Sequence, residues 1–393
     1  MGWACNQLLA KNSIKTTLID SSESAHLIPW IDAGLGVFWP SLNDPPTRAV
    51  VAHGTEMAHW LQNFCVQGLG VAKALLGEEN LIDTPALRIG LENHEVVELN
   101  SACKAGLGLQ PSPKLGSNIF AEINNSLVVR GGFARLNEGS FESKIDFRNA
   151  RVKKIVDTKD GCTAVLSDGS QLQSEMIILA NGYKIAELES WLSPMLIPMS
   201  DVMSIWATNL MASENSAPIS MRTSSGHVAA VFIPTRNSSD IWQWQLKMTG
   251  PRFLLPQAGA GVDLTKQPLD RTLISKIESW IQGSLLAKVV PLLLQTSTHE
   301  AANDSHEISL KLLDIRMGVD CLPCDELPML GELGHQGRIL GATGWLGCGW
   351  SAGFQAASTL VDIIQTGKSE QLKPLLRPQR WRSGMNDGVT GMT

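Results

Sequence analysis

Two glycine-bearing stretches, at opposite ends of the chain, could do chemistry through their backbone. The first begins at Gly2, continues through a helix-like run and ends at Asp20, directly after the short apolar run Thr16–Ile19. In a βαβ dinucleotide-binding unit, glycines let the backbone approach a pyrophosphate at a helix N-terminus. An acid at the end of the second strand holds the ribose hydroxyls. Gly2 stands where the third glycine is expected and Asp20 where the acid is expected, so the stretch predicts part of such a site.

The second stretch is Gly341–Phe354, which reads GATGWLGCGWSAGF. Its pattern is a strand, then a turn with glycines at 344, 347 and 349, then a helix from about Trp350 to Ile364. Backbone N–H groups at the start of such a helix stabilise negative charge on a bound group. A tight turn that serves only to pack the helix explains the same residues, and the sequence alone leaves both interpretations open.

A third candidate is the pair Cys321 and Cys324, spaced as in redox and zinc sites. No second Cys-x-x-Cys and no suitably spaced histidine pair accompany it, and the proline between the two cysteines favours a turn. The sequence therefore predicts no metal site. Serine-hydrolase, zinc-protease and phosphate-loop motifs are missing from it as well.

The elements around these stretches indicate an α/β fold. Residues 151–173 read as a β-meander with two Asp-Gly turns. Met176–Ala180 is an apolar strand, predicted to be buried on both faces and followed by Asn181 and Gly182. Burial on both faces is typical of a strand in a parallel sheet, and a parallel sheet indicates an α/β domain.

Between the two glycine stretches, apolar residues at three- and four-residue spacing predict a helix over Thr47–Leu76. Gly68 and Gly70 are expected to interrupt that helix. Further along, Glu95–Leu99 is predicted to be a strand.

Two tryptophans mark a predicted antiparallel pair of strands, His227–Ile233 and Ile241–Met248. Because side chains alternate along a strand, Trp242 and Trp244 share one face. They could line a pocket or pack in a core, and both alternatives stay open.

The bulk composition limits the class of protein. The chain has 393 residues, of which 44% are hydrophobic and 18% charged, and its net charge is −6. These values are typical of a globular protein, and the acidic balance without a basic block argues against a nucleic-acid partner. Seven scattered cysteines, no signal-peptide pattern and no apolar run long enough to span a bilayer predict reduced thiols in the cytoplasm.

Taken in chain order, five pieces resemble the FAD-dependent D-amino-acid oxidase and glycine oxidase family, which includes sarcosine oxidase and the oxidase domain of a bifunctional tRNA wobble-uridine enzyme. The resemblance spans nearly the whole chain, although the middle matches only in pattern. The pieces are the Gly2-to-Asp20 start, AGLGVFWP, MIILANG (Met176–Gly182), RMGVDCLPCDELPMLG (Arg316–Gly331), and GRILGATGWLGCGWSAGF with the later RPQRW.

The resemblance implies an α/β architecture in which a Rossmann-like FAD-binding domain is interleaved with an antiparallel-sheet substrate domain. The FAD domain would comprise residues 1–45, 130–185 and 315–393. The substrate domain would comprise residues 46–129 and 186–314.

The resemblance also implies the residues that hold FAD. Gly2 and the start of its helix would face the pyrophosphate, Asp20 and Ser21 the adenosine ribose, and Val152 the adenine. Ala180 and Gly182 would lie near the pyrophosphate, Gly34 and Gly36 near the isoalloxazine, and Gly344, Gly347, Cys348, Gly349 and Trp350 at the pyrimidine edge.

The implied reaction is hydride transfer from the carbon that bears an amine to flavin N5. Water then hydrolyses the imine, and oxygen or another acceptor reoxidises the flavin. The substrate would be a small-molecule amine or amino acid. The alternatives are a non-catalytic or FAD-deficient relative, and an oxidase of a modified tRNA amine. No catalytic residue is assigned, and the candidate pocket residues are Trp242, Trp244, Asp320 and Trp345.

Three departures from the family pattern shape these expectations. Asp320 stands where the amino-acid oxidases carry an arginine that grips the substrate carboxylate, which makes a simple amino acid a doubtful substrate. The position of the covalent-flavin cysteine of sarcosine oxidase falls near Gly318, so FAD is expected to be non-covalent. The first strand and the first two glycines of the dinucleotide unit do not precede Gly2, and we expect the natural protein to start upstream.

Overall fold

The computed structural model describes residues 1–20, 35–41, 46–129, 146–223, 227–237, 239–261, 264–265, 269–296, 308–334, 336–345, 347, 349–370 and 372–381. The helices are α1 (Gly2–Lys11), α2 (Pro46–His53), α3 (Thr55–Leu76), α4 (Asn93–Lys104), α5 (Ile185–Leu188), α6 (Arg271–Trp280), α7 (Ala287–Thr296) and α8 (Gly349–Thr366), and a π-helical segment, Ile281–Leu286, joins α6 to α7. The first strands are β1 (Thr17–Asp20), β2 (Val37–Phe38), β3 (Leu81–Thr84), β4 (Ala86–Ile89), β5 (Leu109–Pro111), β6 (Ile119–Glu122), β7 (Ser126–Val129), β8 (Asp146–Asn149), β9 (Val152–Thr158) and β10 (Gly161–Leu166). The later strands are β11 (Gln171–Ser174), β12 (Ile177–Leu179), β13 (Leu196–Met211), β14 (Ile219–Arg222), β15 (Ala229–Arg236), β16 (Trp242–Thr249), β17 (Leu310–Pro323), β18 (Met329–Glu332) and β19 (Ile339–Thr343).

An eight-stranded sheet, in the order β17-β13-β16-β15-β14-β4-β6-β5, separates two hydrophobic cores. Its neighbours are antiparallel except β14 and β4, which run parallel. Because side chains alternate along each strand, the sheet has two apolar faces. One face packs against α6, the π-helical segment and α7. The other packs against α1, α3 and α8.

Four smaller sheets complete the architecture. β1 pairs with β8 in parallel, and β12 pairs with β19 in parallel, with β18 antiparallel on the far side of β19. The remaining two sheets are the meander β11-β10-β9 and the group β2-β7-β3. The predicted α/β fold class, the meander and the parallel pairing of the MIILANG strand are therefore confirmed.

Helices α3 and α8 pack together at a glycine. A Cβ atom on Gly68 would lie 1.8 Å from the backbone oxygen of Ser351, so only glycine permits this approach. Gly68 and Gly70 were expected to interrupt the helix, and that expectation is wrong. The break instead falls at Gly54, whose φ of +83° favours glycine and separates α2 from α3.

The predicted strand Glu95–Leu99 is wrong as well, because these residues lie within α4. Reciprocal hydrogen bonds between Glu92 and Glu95 form a capping box at the start of that helix. Local capping therefore outweighs the strand preference of the β-branched pair Val96 and Val97.

The predicted domain division stays a prediction. One of its boundaries, between residues 314 and 315, falls inside β17, which runs continuously from Leu310 to Pro323 in the eight-stranded sheet. Within the described residues, no helix combines the length and the apolar character that crossing a bilayer requires.

Candidate functional site

The start of α1 lies between the ends of two strands from different sheets. A Cβ atom on Gly2 would stand 3.3 Å from Cβ of Ala180, which follows β12, and 3.6 Å from Cδ1 of Leu18 in β1. Asp20 is the last residue of β1. The carboxyl ends of parallel strands are where open α/β sheets bind ligands. Gly2 is thus packed against Ala180 and against Leu18, two residues before Asp20, while the roles predicted for these residues stay predictions.

Two helix starts meet at this edge. The Cβ atom of Met1 lies 3.7 Å from the Cβ position of Gly353, in the second turn of α8. Helix α1 has no side-chain cap and no acidic residue in its first turn. The positive ends of two helix dipoles therefore lie close together, an arrangement that suits an anionic group.

The turn before α8 depends on glycine for its backbone. Gly344 and Gly347 have φ values of +81° and +82°, a region that L side chains rarely adopt. A Cβ atom on Gly344 would also stand 2.3 Å from Cγ of Pro323. Trp345, buried between these glycines, stacks on Phe64 of α3 with ring centroids 6.1 Å apart. The turn is therefore held against both α3 and the end of β17.

Asp320 lies at this turn and is hydrogen-bonded to it. The N–H of Gly347 donates to Oδ2 of Asp320 (3.1 Å), and the N–H of Cys321 donates to Oδ1 (2.8 Å). Nη2 of Arg252 lies 3.7 Å from the same Oδ2, while its Nε donates to Asp201 (2.9 Å). One guanidinium is thus shared by two carboxyl groups.

Asp201 is the more deeply buried of the two carboxyls. Burial raises its pKa above the ordinary value, the guanidinium of Arg252 acts in the opposite direction, and the carboxylate of Asp320 adds to the rise. The side chain of Asp320 keeps 34% of its surface exposed, against 16% for Asp201. Asp320 is therefore the carboxylate that faces open space at the turn.

Residues 35–41, the described part of the AGLGVFWP loop, pass beside the start of α8. Gly36 has a φ of +69°. The ring of Phe38 meets the ring of Trp350 edge-on at 5.8 Å, and the hydroxyl of Ser351 donates to the carbonyl of Trp39. Gly36 and Trp350 thus belong to one assembly with the glycine turn.

A buried ion cluster ties this loop to the large sheet. Oε1 of Glu122 accepts hydrogen bonds from Arg88 (2.9 Å) and Arg222 (2.7 Å), and the hydroxyl of Ser41 donates to Oε2 (2.6 Å). The guanidinium of Arg222 also lies 4.6 Å from the ring centre of Trp39. Burial acts to raise the pKa of Glu122, but both arginines and Ser41 outweigh it and hold the pKa below the ordinary value. The cluster therefore depends on an ionised Glu122.

Val152 and Gly182 are the residues predicted to lie near the adenine and the pyrophosphate. The N–H of Ala150 donates to the carbonyl of Asp20 (2.9 Å), and Val152 opens β9 two residues later. Gly182 has a φ of +62°, and its Cβ position faces open space. Gly349 begins α8. Ser21, Gly34 and Cys348 lie outside the described residues.

Trp242 and Trp244 do not join this assembly. Trp244 is buried with Trp206 in the core beneath α6 and α7, and Trp242 packs against that core. Alternation along β16 sends Lys247 and Thr249 to the opposite face. Trp244 therefore packs inside this core and Trp242 lies partly buried against it.

Both cysteines of the pair have raised pKa values, although Cys321 is buried and Cys324 is exposed. Burial raises the pKa of Cys321 to about 12 and also raises that of Cys324. A thiolate is the form that binds metal or attacks a disulfide. Among the described residues, no group of three or more histidine, cysteine or acidic side chains is arranged to hold a metal ion.

Sequence reasoning missed the charged residues on the sheet. Arg88, Glu122 and Arg222 come from three different strands, and Asp201 and Arg252 lie more than 60 residues before Asp320 in the chain. A sequence signal for such a cluster is a charged residue within an otherwise apolar strand, as Arg88 is in the strand Ala86–Ile89. Such a residue is almost never fully buried unless it is paired.

Comparison with solved structures identifies the fold. The structural alignment with glycine oxidase from Geobacillus kaustophilus covers 95% of this chain and 94% of that protein, with a TM-score of 0.61 and 13% sequence identity. The alignment with L-proline dehydrogenase from P. horikoshii covers 97% of this chain and 95% of that protein, with a TM-score of 0.62 and 13% sequence identity. The alignment with fructosyl amine:oxygen oxidoreductase (amadoriase I) from Aspergillus fumigatus covers 95% of this chain and 86% of that protein, with a TM-score of 0.60 and 12% sequence identity.

The chain shares its fold with these oxidoreductases. The fold that the resemblance predicted is therefore confirmed over nearly the whole length. No protein-family model matches the sequence, and no curated protein does either.

Proposed function

We propose that the protein is an FAD-dependent oxidoreductase that oxidises the C–N bond of an amine or amino acid. The observation that carries this proposal is the packing of the start of α1 against Ala180 after β12, against Leu18 in the strand that ends at Asp20, and against Gly353 of α8. The solved structures with this fold include an oxidase of glycine, a dehydrogenase of proline and an oxidoreductase of fructosyl amines.

The residues at this edge fit a dinucleotide. A side chain at position 2 would crowd Ala180 and Leu18, and the start of α1 has no side-chain cap. The N-terminus of a helix without a side-chain cap suits a pyrophosphate, and a carboxylate such as that of Asp20 suits ribose hydroxyls. The donor set therefore agrees with FAD.

In this proposal each part of the edge has one task. The start of α1 with Ala180 and Gly182 would hold the pyrophosphate, Asp20 with Ser21 the ribose, and Val152 the adenine. Gly34 and Gly36 would lie along the isoalloxazine, and the turn from Gly344 to Trp350, with Gly347, Cys348 and Gly349, at its pyrimidine edge. We also propose that FAD is bound non-covalently, by a domain of residues 1–45, 130–185 and 315–393, and that residues 46–129 and 186–314 form the substrate domain.

Bound FAD would supply a hydride acceptor. The chain's own task is to hold a neutral amine with its C–H bond directed at that acceptor and to keep the site dry, because placement supplies much of the rate in such a step. Trp345, buried between α3 and the turn, is suited to excluding water. Water then converts the imine to a carbonyl product and a free amine, and oxygen or another acceptor takes the two electrons.

Asp320 affects which amines would fit. A carboxylate at the glycine turn, with its nearest guanidinium already bonded to Asp201, repels a substrate carboxylate instead of gripping it. The proposed substrates are therefore small-molecule amines whose recognition does not depend on an α-carboxylate. The scattered cysteines support a cytoplasmic location.

The first prediction concerns turnover. Under anaerobic conditions, at least one amine from a panel with and without α-carboxylates should bleach the flavin band of the FAD-loaded protein, with one imine or carbonyl product formed per flavin reduced. Amines without a carboxylate should reduce it faster than the matching amino acids. A flavin-loaded protein that no amine reduces would favour the non-catalytic relative over the oxidase.

A further inference from the structure

Asp320 accepts a hydrogen bond from a backbone N–H of the glycine turn, which the proposed function assigns to the flavin. Its carboxylate accepts the N–H of Gly347 (3.1 Å), two residues before the start of α8. The positive end of a helix dipole stabilises negative charge only within its first turn. A carboxylate at that place cancels part of this effect before any ligand binds.

The charge of Asp320 is only partly balanced by its neighbour. Arg252 lies 3.7 Å from Asp320 but donates its Nε to Asp201 at 2.9 Å, so the closer partner is Asp201. The pairing with Asp320 is the longer of the two, and a third of the Asp320 side chain is exposed to screening by water. The turn therefore faces open space with a carboxylate that keeps a third of its surface exposed.

We propose that Asp320 lowers the reduction potential of the flavin by placing a negative charge at the turn that would otherwise stabilise the reduced form. The inference rests on the proposed function. A hydride carries two electrons and one proton, so its transfer would leave one negative charge on a bound flavin and one positive charge on the imine product. A fixed carboxylate beside the developing charge disfavours that state.

The consequence is a flavin that is harder to reduce and passes its electrons on more readily. Such a cofactor is poorly matched to substrates that are difficult to oxidise. It is well matched to amines with activated C–H bonds and to an acceptor that takes electrons rapidly. Asp320 thus acts on both halves of the reaction without touching a reacting atom.

The test compares two isosteric variants of the FAD-loaded full chain, Asp320→Asn and Asp314→Asn. Asp314 lies on the same strand, pairs with Arg316 at 2.8 Å, and has a side chain 35% exposed against 34% for Asp320. Asparagine at 320 keeps an oxygen that can accept the Gly347 N–H but carries no charge. Dye-coupled titration of the flavin measures the potential, and sulfite, whose adduct places a negative charge on the flavin ring, gives a second measurement.

For Asp320→Asn we expect the reduction equilibrium to shift about tenfold toward the reduced flavin, or ~30 mV for a two-electron couple. We also expect the dissociation constant for sulfite to fall about tenfold, with no change in either quantity for Asp314→Asn. Asp320→Ser, uncharged and shorter, should show the same direction if the asparagine variant is poorly folded by circular dichroism.

The outcomes separate the two proposals. Flavin binding with equal potentials and equal sulfite affinities in all variants would overturn the role of Asp320 and leave the proposed function standing. A folded wild-type chain that binds no flavin would overturn the proposed function, and this inference with it.

Discussion

Glu122 is a single carboxylate on which two fully buried arginines depend. Arg88 and Arg222 are 1% and 0% exposed, and both donate to the same oxygen of Glu122. Removing one partner of a buried ion pair leaves an uncompensated charge and costs about 3–5 kcal/mol. Glu122 is thus the residue of this cluster whose loss is expected to destabilise the protein most.

We therefore expect Glu122→Gln to lower the free energy of unfolding by ~3–5 kcal/mol, measured by urea denaturation. The matched control is Glu187→Gln, which removes an exposed ion pair with Arg151 and should cost about 0–1 kcal/mol. Equal losses in the two variants would mean that the buried arginines find other partners.

The same residue predicts a dependence on pH. Burial acts to raise the pKa of Glu122, but Arg222, Arg88 and Ser41 hold it below the ordinary value. A folded-state pKa below the unfolded value of ~4.3 stabilises the protein above that pH, and the stabilisation is lost as the pH falls through the folded pKa. The gap in unfolding free energy between wild type and Glu122→Gln should be constant near neutrality and shrink below about pH 4. A gap that stays constant down to acid denaturation would contradict an ionised Glu122.

At the scale of the elements, the contact between α3 and α8 determines how the second helix start is held. Gly68 allows the backbone of Ser351 to approach, and the hydroxyl of Ser351 in turn donates to Trp39 in the loop. Helix α8 is therefore fixed on one side by α3 and on the other by the loop. Any displacement of α8 moves the glycine turn with it.

Gly68→Ala should force the two helices apart and destabilise the protein by about 1–3 kcal/mol, the usual range for overpacking. Gly70→Ala is the matched control in the same helix, because its Cβ would meet nothing within 4 Å. That variant should be neutral or stabilising by up to about 1 kcal/mol, since alanine favours a helix. Thermal unfolding measures both, and a Gly68→Ala protein as stable as Gly70→Ala would show that α8 can shift freely.

The elements also show what sequence patterns can and cannot predict. The helix from Gly2, the meander and the strand and helix around the second glycine stretch follow from local spacing, and the structure confirms them. Glu95–Leu99 fails because Val96 and Val97 resemble a strand while a capping box starts a helix. Trp242 and Trp244 were correctly aligned on one face, but local alternation does not tell which face lines a site.

At the scale of the whole molecule, the sequence predicts the fold from the order of its motifs along the chain. It does not predict which distant residues contact each other. The eight-stranded sheet joins residues as far apart as Met203 and Arg316, and its order is invisible in local patterns. The charged groups at the site come from segments distant in the chain: Asp201 and Asp320 lie on two strands, and Arg252 lies in a short 3-10 helix. Only tertiary structure reveals that Asp320 already holds the Gly347 N–H.

Binding of FAD by the whole chain tests the account most directly. Asp20 ends β1 at the proposed ribose position, while Asp146 begins the neighbouring β8 at the other end of the same two-stranded sheet and accepts a hydrogen bond from Thr17. Removing a carboxylate that binds hydroxyls should cost ~1.5–3 kcal/mol, which is at least about tenfold in affinity.

The measurement is titration of the folded chain with FAD, followed by quenching of flavin fluorescence and by retention of the flavin band on gel filtration. We expect saturable one-to-one binding, weakened about tenfold or more by Asp20→Ala and unchanged by Asp146→Ala. A folded, colourless protein that gives no saturable binding, or equal affinities for the two variants, would contradict it.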